Sequence, residues 1–262
     1  MAYRELLILP EDGETVSPAA WFLNTLAVLG AIALVMTFAL SGFAYQFHWD
    51  SIWRYRLNFI QGFGMTMVMS SVSLILSLVI GIVFGLMQSS RIILLRALAK
   101  VYVEVIRGTP LLVQILVFYY LIASAFGISE RYTLGILIMS LFSGAYMAEI
   151  IRGGINSIGR SQIESARSIG LTRFQIYRYI IAPQVITRIL PALAGQLASL
   201  IKDSSLLSVI SIREFTMAAR EVNASTFATL ESYIPLAVGY LLLTLPISVI
   251  SRTLEKRLGF ES

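Results

Sequence analysis

The sequence predicts an all-α fold, a polytopic membrane helical bundle of about six transmembrane helices, and three observations lead there. Charged residues fill 13% of the 262 positions and hydrophobic ones 57%, where an ordinary soluble domain carries roughly 25% charge. Mean hydropathy is +0.79. So few charges cannot cover a water-facing surface, and apolar runs recur at close to the ~20 residues that a helix needs to cross hydrocarbon.

The first run, about 21 to 45, follows an acidic segment in which Glu5, Glu11, Asp12 and Glu14 outweigh Arg4. A cleaved signal peptide would start positive and carry a shorter apolar region, so this run reads as a retained span. The second, about 63 to 87, sets Ser70, Ser73, Ser77, Gly81 and Gly85 on one helical stripe ending in Gly-x-x-x-Gly. Small residues let helix backbones approach closely in lipid; the partner is another span of this chain or a second subunit. After Arg91, charges at Arg96, Lys100, Glu104 and Arg107 recur every three or four residues, with Leu98, Val101 and Val105 turned elsewhere. That pattern is an amphipathic helix at a membrane interface. The third and fourth runs, about 111 to 127 and 134 to 151, are shorter, and their place in the series makes them spans. In the third, the Tyr119-Tyr120 pair reads as packing. The fifth run, about 190 to 212, follows a break marked by Pro183, and Pro235 and Pro246 bracket the sixth, about 233 to 251.

Lys and Arg set the orientation. With the N-terminus in the cytoplasm, Arg91 to Arg107, Arg152 to Arg188 and Arg252, Lys256 and Arg257 fall inside, leaving Arg54, Arg56, Arg131, Arg213 and Arg220 outside. This asymmetry predicts both termini in the cytoplasm. It also explains the net charge of +5 without nucleic acid, because the basic residues sit in short loops rather than on one soluble face. The two halves show no internal repeat of the kind that builds many secondary transporters. One chain therefore resembles half of a pathway.

Several chemistries are excluded. There is no Cys, and His48, beside Trp49, is the single His, so it reads as an interfacial side chain and no metal site is predicted. No Gly-x-x-x-x-Gly-Lys-Ser/Thr loop occurs, so the chain does not hydrolyse ATP by itself, and no His-Glu-x-x-His or Gly-x-Ser-x-Gly motif occurs. The physical anomaly is Lys202-Asp203. Counted from Pro191 at about 1.5 Å per residue, the two lie near mid-bilayer, where a charge costs on the order of 3 kcal/mol. Gln196, Ser199, Lys202 and Asp203 fall on one helical side that must face protein or a watered pathway. Either the four form a buried polar network or they line a pathway. Glu149, late in the fourth run, reads as a gate or loop-anchoring carboxylate.

Between the fourth and fifth runs the segment from about 152 to 183 contains Glu164-Ser165-Ala166, then Gly170, Ile180 and Pro183. By itself it is a basic loop with a short helix that Gly170 can end. Its spacing resembles the EAA loop of bacterial ABC importer permeases, which runs Glu-Ala-Ala, three residues, Gly, nine residues, Ile-x-Leu-Pro. Ser165 and Ala182 replace an Ala and the Leu. Three further stretches resemble the polar amino-acid branch of that family: Arg107-Gly108-Thr109-Pro110 with Gln114, Ser143 to Ile155, and Lys202 to Leu206. In the last, Ser204 stands where Thr is usual, and Ser161 stands where Gly is common.

The resemblance covers roughly residues 60 to 258 and implies a permease with the ABC type I importer fold. It divides the chain into 1–60, an N-terminal cytoplasmic segment plus an extra first helix, and 61–258, the permease domain. It implies ATPase coupling through Glu164, Ser165, Ala166, Gly170 and Pro183, with the small side chains of Ser165 and Ala166 letting the helix sit deep in a groove on the partner. The implied partners are separate ATPase subunits carrying ATP and Mg, a second copy or a related permease, an extracytoplasmic amino-acid-binding protein and the lipid of a bacterial inner membrane. No cofactor is bound by this chain. The rival reading is a secondary, ion-coupled carrier in which Lys202 and Asp203 relay charge.

Overall fold

The computed structural model describes residues 17–41, 45 and 47–257. The acidic segment 1–16 and residues 258–262 lie outside the described residues, so those parts of the expected domain division are not located. Among the described residues the secondary structure is helical. The chain divides into two units, Met1–Phe47 and His48–Ser262. The first unit holds α1, Pro18–Ser41. Its Asn24 amide and Thr25 hydroxyl donate to the carbonyls of Ala20 and Trp21 at 2.8 Å each. Polar side chains in an apolar helix are thus satisfied by the helix's own backbone, as hydrocarbon requires.

The second unit begins with the short α2, Asp50–Arg54, and the long α3, Arg56–Gln88. The predicted small-residue stripe lies buried on α3, and its partner is a span of the same chain, α6, Arg131–Asn156. A Cβ on Gly81 would stand 2.5 Å from the Met147 Cβ, and one on Gly85 3.0 Å from the Ala148 carbonyl oxygen. Close approach of the two backbones is therefore what the glycines provide. Above this seam Met69, Ile115, Ile138, Met139 and Leu207 form the main apolar cluster.

The third run is not a straight span. The amphipathic helix α4, Ile93–Arg107, turns through 105° into α5, Leu111–Val117, which continues as a π-helical turn, Phe118–Ala123. The thirteen residues of α5 and its extension cover only about 20 Å, short of the ~30 Å hydrocarbon thickness. Only the bent pair taken together is long and apolar enough for a span. Tyr119 packs on the main cluster and meets Tyr120 edge to face, 5.0 Å between ring centroids, consistent with packing.

The fifth run also differs from expectation. After α7, Arg160–Ser168, and α8, Arg173–Ile176, a π-helical turn Tyr177–Ile181 leads into α9, Ala182–Asp203, and a 3-10 extension, Ser204–Ile210. Pro183 therefore does not break the chain. A proline lacks the N–H that an α-helix would bond to the fourth residue back, and its ring crowds that carbonyl; the wider π turn just before Pro183 accommodates both. Pro191 likewise lies inside α9. α10, Phe215–Thr226, precedes α11, Thr229–Arg257, in which Pro235 and Pro246 are both interior, so Pro235 does not mark the helix start.

Candidate functional site: the loop elbow and the polar face of α9

The candidate coupling element is α7 and the elbow after it. At its C-terminus the Gly170 N–H donates to the Arg167 carbonyl at 2.9 Å and the Leu171 N–H to the Ala166 carbonyl at 3.1 Å. This is a Schellman closure, and Gly170 takes the left-handed conformation it needs, φ +84°. Two residues on, Thr172 and Gln175 form a reciprocal capping box that starts α8. The sequence thus ends one helix and begins the next within a few residues, which makes the elbow stiff.

Glu164 and Ser165 are exposed on α7, while Ala166 is buried against the chain's own Ile158, Ile176, Ile181 and Val185. The small size of Ala166 therefore seats α7 on its own bundle, not in a groove on a partner. The outward surface includes Glu164, Ser165 and the Ile169 side chain, which is 77% exposed. Pro183 is also exposed, at the start of α9. Two clamps tie this loop to the helices. The Gln184 amide donates to the Gln162 side-chain oxygen at 2.9 Å, and the Arg188 guanidinium donates to the Ser157 carbonyl and hydroxyl at 2.6 and 2.7 Å. Gln162 of α7 is thereby bonded to α9, and α9 to the end of α6.

The Arg107 to Gln114 motif builds the 105° corner. The Gln114 amide, 6% exposed, donates to the Ile106 carbonyl at 2.7 Å and to the Thr109 carbonyl and hydroxyl at 3.1 and 2.8 Å. Pro110 starts α5 in an extended conformation that needs no N–H, and a Cβ on Gly108 would stand 2.7 Å from the Glu104 carbonyl. Arg107 reaches across to α6, its guanidinium 5.2 Å from the Tyr146 ring centroid and 3.9 Å from Glu149 Oε2. Glu149 also accepts from Arg152 Nε at 3.0 Å. Its carboxylate joins the end of α4 to the end of α6, an anchoring geometry.

On α9, Gln196, Ser199 and Asp203 are half-buried and Lys202 is exposed. Gln196 donates to the Ser143 hydroxyl of α6 at 3.3 Å. Among the described residues no ion pair reaches Lys202 or Asp203. The α-helical segment runs through Pro191 without restarting, and both residues lie at its end, about two turns before Ile210.

The sequence reading missed Glu214. Fully buried, it accepts from the backbone N–H groups of Thr216 at 2.9 Å and Met217 at 2.8 Å, and from the Tyr240 hydroxyl at 2.9 Å. Thr66 of α3 lies beside it and accepts the Phe215 N–H at 3.1 Å. One carboxylate thus caps α10 and joins it to α11. Burial raises its pKa, opposed by those two backbone donors. We expect Glu214→Leu, which leaves the two cap donors unpaired, to cost about 1–3 kcal/mol or more, read as a lower unfolding temperature; Glu214→Gln, keeping one acceptor, should recover part of it. Equal unfolding temperatures for Glu214→Leu and the parent would contradict this role. Glu231, fully buried in the first turn of α11, accepts the His48 backbone N–H. Among the described residues no group of three or more His, Cys, Asp or Glu is placed to hold a metal ion.

The sequence and the fold resemble those of known proteins. Residues 77–260 match the family described as the binding-protein-dependent transport system inner membrane component. The glutamine transport system permease protein GlnP of Escherichia coli K12 is 38% identical over 215 residues, 81% of this chain and 98% of the relative. The probable glutamine ABC transporter permease protein GlnM of Bacillus subtilis is 36% identical over 200 residues, 76% and 93% of the two chains. A crystal structure of an amino acid ABC transporter with histidines superposes with a TM-score of 0.75 at 36% identity, covering 81% of this chain and all of that one. The MetNI methionine ABC transporter, at 19% identity and a TM-score of 0.63, shares the fold. With the family match spanning the seam, the elbow and α9, the chain belongs to the binding-protein-dependent transport system inner membrane components.

Proposed function

We propose that this chain is the permease subunit of an ATP-driven ABC importer for amino acids, with glutamine or a related polar amino acid as substrate. The observation that carries the reading is the family match over 77–260, joined to glutamine permeases as relatives that are aligned over nearly their whole length. The chain supplies the membrane pathway, and separate ATPase subunits supply hydrolysis. Two copies, or one copy and a related permease, form the pathway, and an extracytoplasmic binding protein delivers the substrate. The excess of Lys and Arg on the side carrying α7 supports an inner-membrane orientation with both termini in the cytoplasm.

In this reading the ATPases grip the exposed face of α7 at Glu164 and Ser165. Their closure displaces the elbow, and the Gln184–Gln162 and Arg188–Ser157 clamps carry the displacement into α9 and α6. These two helices then tilt as one body and change which side of the membrane the pathway opens to. Gln196, Ser199 and Asp203 offer the polar surface along that pathway.

The test is uptake of labelled glutamine into proteoliposomes containing this chain with its ATPase and binding protein. Uptake should require internal ATP, persist when ion gradients are collapsed and be competed by polar amino acids. Uptake that follows an ion gradient without ATP would favour the ion-coupled carrier, and competition by sugars or phosphate but by no amino acid would overturn the substrate class.

A further inference from the structure

A second polar site lies apart from the α9 face. The end of α3, the charged side of α4 and the end of α6 enclose an open cleft of about 550 Å³. Arg96, Lys100, Arg107 and Arg152 line it, against the carboxylates of Glu104 and Glu149. Glu149 is already engaged by Arg152 and Arg107. Lys100 has no ion pair among the described residues, and Arg96 spends its Nε on the Gln88 carbonyl at 3.1 Å, leaving the rest of its guanidinium donors. Gln88, also in the lining, buries its amide nitrogen without a hydrogen-bond partner among the described residues. An unpaired buried donor beside surplus cations favours an anion.

The other face of α4 says which kind. Leu94, Leu98, Val101 and Val105 stand 51–74% exposed, in a strip roughly 120° around the helix from the charged row, at about 100° per residue. Ala99, Val103 and Ile106 fill the remaining side, buried against the bundle. Charge and exposed hydrocarbon on neighbouring faces of one helix match an amphiphile whose phosphate enters the cleft while its chains lie along the helix.

We propose that this cleft binds the phosphate of an anionic phospholipid, with Arg96, Lys100 and the Gln88 amide as its donors and the apolar strip of α4 as the bed for its chains. A soluble phosphate would satisfy the same donors but would leave the strip unused. The inference goes beyond the transport reading and is measured without transport.

The experiment titrates the delipidated full chain, in neutral detergent, with phosphatidylglycerol, phosphatidylcholine and inorganic phosphate, following bound lipid by native mass spectrometry. Phosphatidylglycerol should bind best, and Arg96→Gln with Lys100→Gln should weaken it by about tenfold or more. Arg96→Lys with Lys100→Arg, which keeps both charges, should retain most of the binding and guards against a misfolded variant. Equal binding of phosphatidylglycerol and phosphatidylcholine, or unchanged phosphatidylglycerol binding in the double Gln variant, would overturn the proposal. So would inorganic phosphate binding as tightly as phosphatidylglycerol, which would make the ligand a soluble anion. Loss of ATPase association in the double Gln variant with lipid binding intact would mark the cleft as a protein contact instead.

Discussion

Replacing Gly170 with proline is expected to disconnect ATP hydrolysis from transport in the assembled importer, lowering uptake per ATP hydrolysed by more than about tenfold. Gly170 sits at φ +84° and its N–H closes the end of α7 on the Arg167 carbonyl. Proline holds φ near −65° and has no N–H, so the Schellman closure and the angle between α7 and α8 are both lost. Gly170→Ala separates conformation from crowding. Nothing lies within 4 Å of the added Cβ, so the change costs only the left-handed strain of about 1–2 kcal/mol, and coupling should largely persist. ATP hydrolysis and uptake measured on the same proteoliposomes check both variants. Normal coupling in Gly170→Pro would remove the elbow from the mechanism.

Asp203→Asn is expected to leave assembly intact and to cut uptake by more than about tenfold, with a smaller effect from Lys202→Met. A charge in hydrocarbon costs on the order of 3 kcal/mol, and neither side chain has an ion-pair partner among the described residues. Water or a second subunit must therefore compensate them. Adjacent helical residues point about 100° apart: Asp203 shares its face with Gln196 and Ser199, all half-buried, whereas Lys202 stands exposed to one side. Size-exclusion chromatography with the ATPase subunits present, paired with uptake, separates the outcomes. If each single variant fails to assemble and the double variant recovers, the two charges instead form a structural bond between subunits, since breaking one side of a buried pair costs about 3–5 kcal/mol.

What the sequence made legible was local. The small-residue stripe of α3, the charged face of α4 and the glycine stop of α7 each depend on residues within a few turns of one another, and all three are present. What escaped depended on distant partners or on backbone adjustment. Glu214 reads as an ordinary loop acid until the fold brings Tyr240 and Thr66 to it, 26 and 148 residues away. Pro183 reads as a break, yet a π turn ahead of it and a continuous α9 through Pro191 keep a single helical path. Ala166 matched the family spacing, but which side of α7 it occupies was settled only when α8 and α9 packed beneath it.

The exposed face of α7 is expected to meet an ATPase, while its buried face belongs to this chain. The chain contains no Cys, so single cysteines can be placed without background from this chain and labelled before the complex is assembled. Photo-crosslinkers attached at Ser165→Cys and Glu164→Cys should capture the ATPase subunit in the assembled complex, and the same probe at Leu98→Cys, on the apolar strip of α4, should not. A Ser165→Cys probe that captures no ATPase, in a complex where the ATPase co-purifies, would contradict the account.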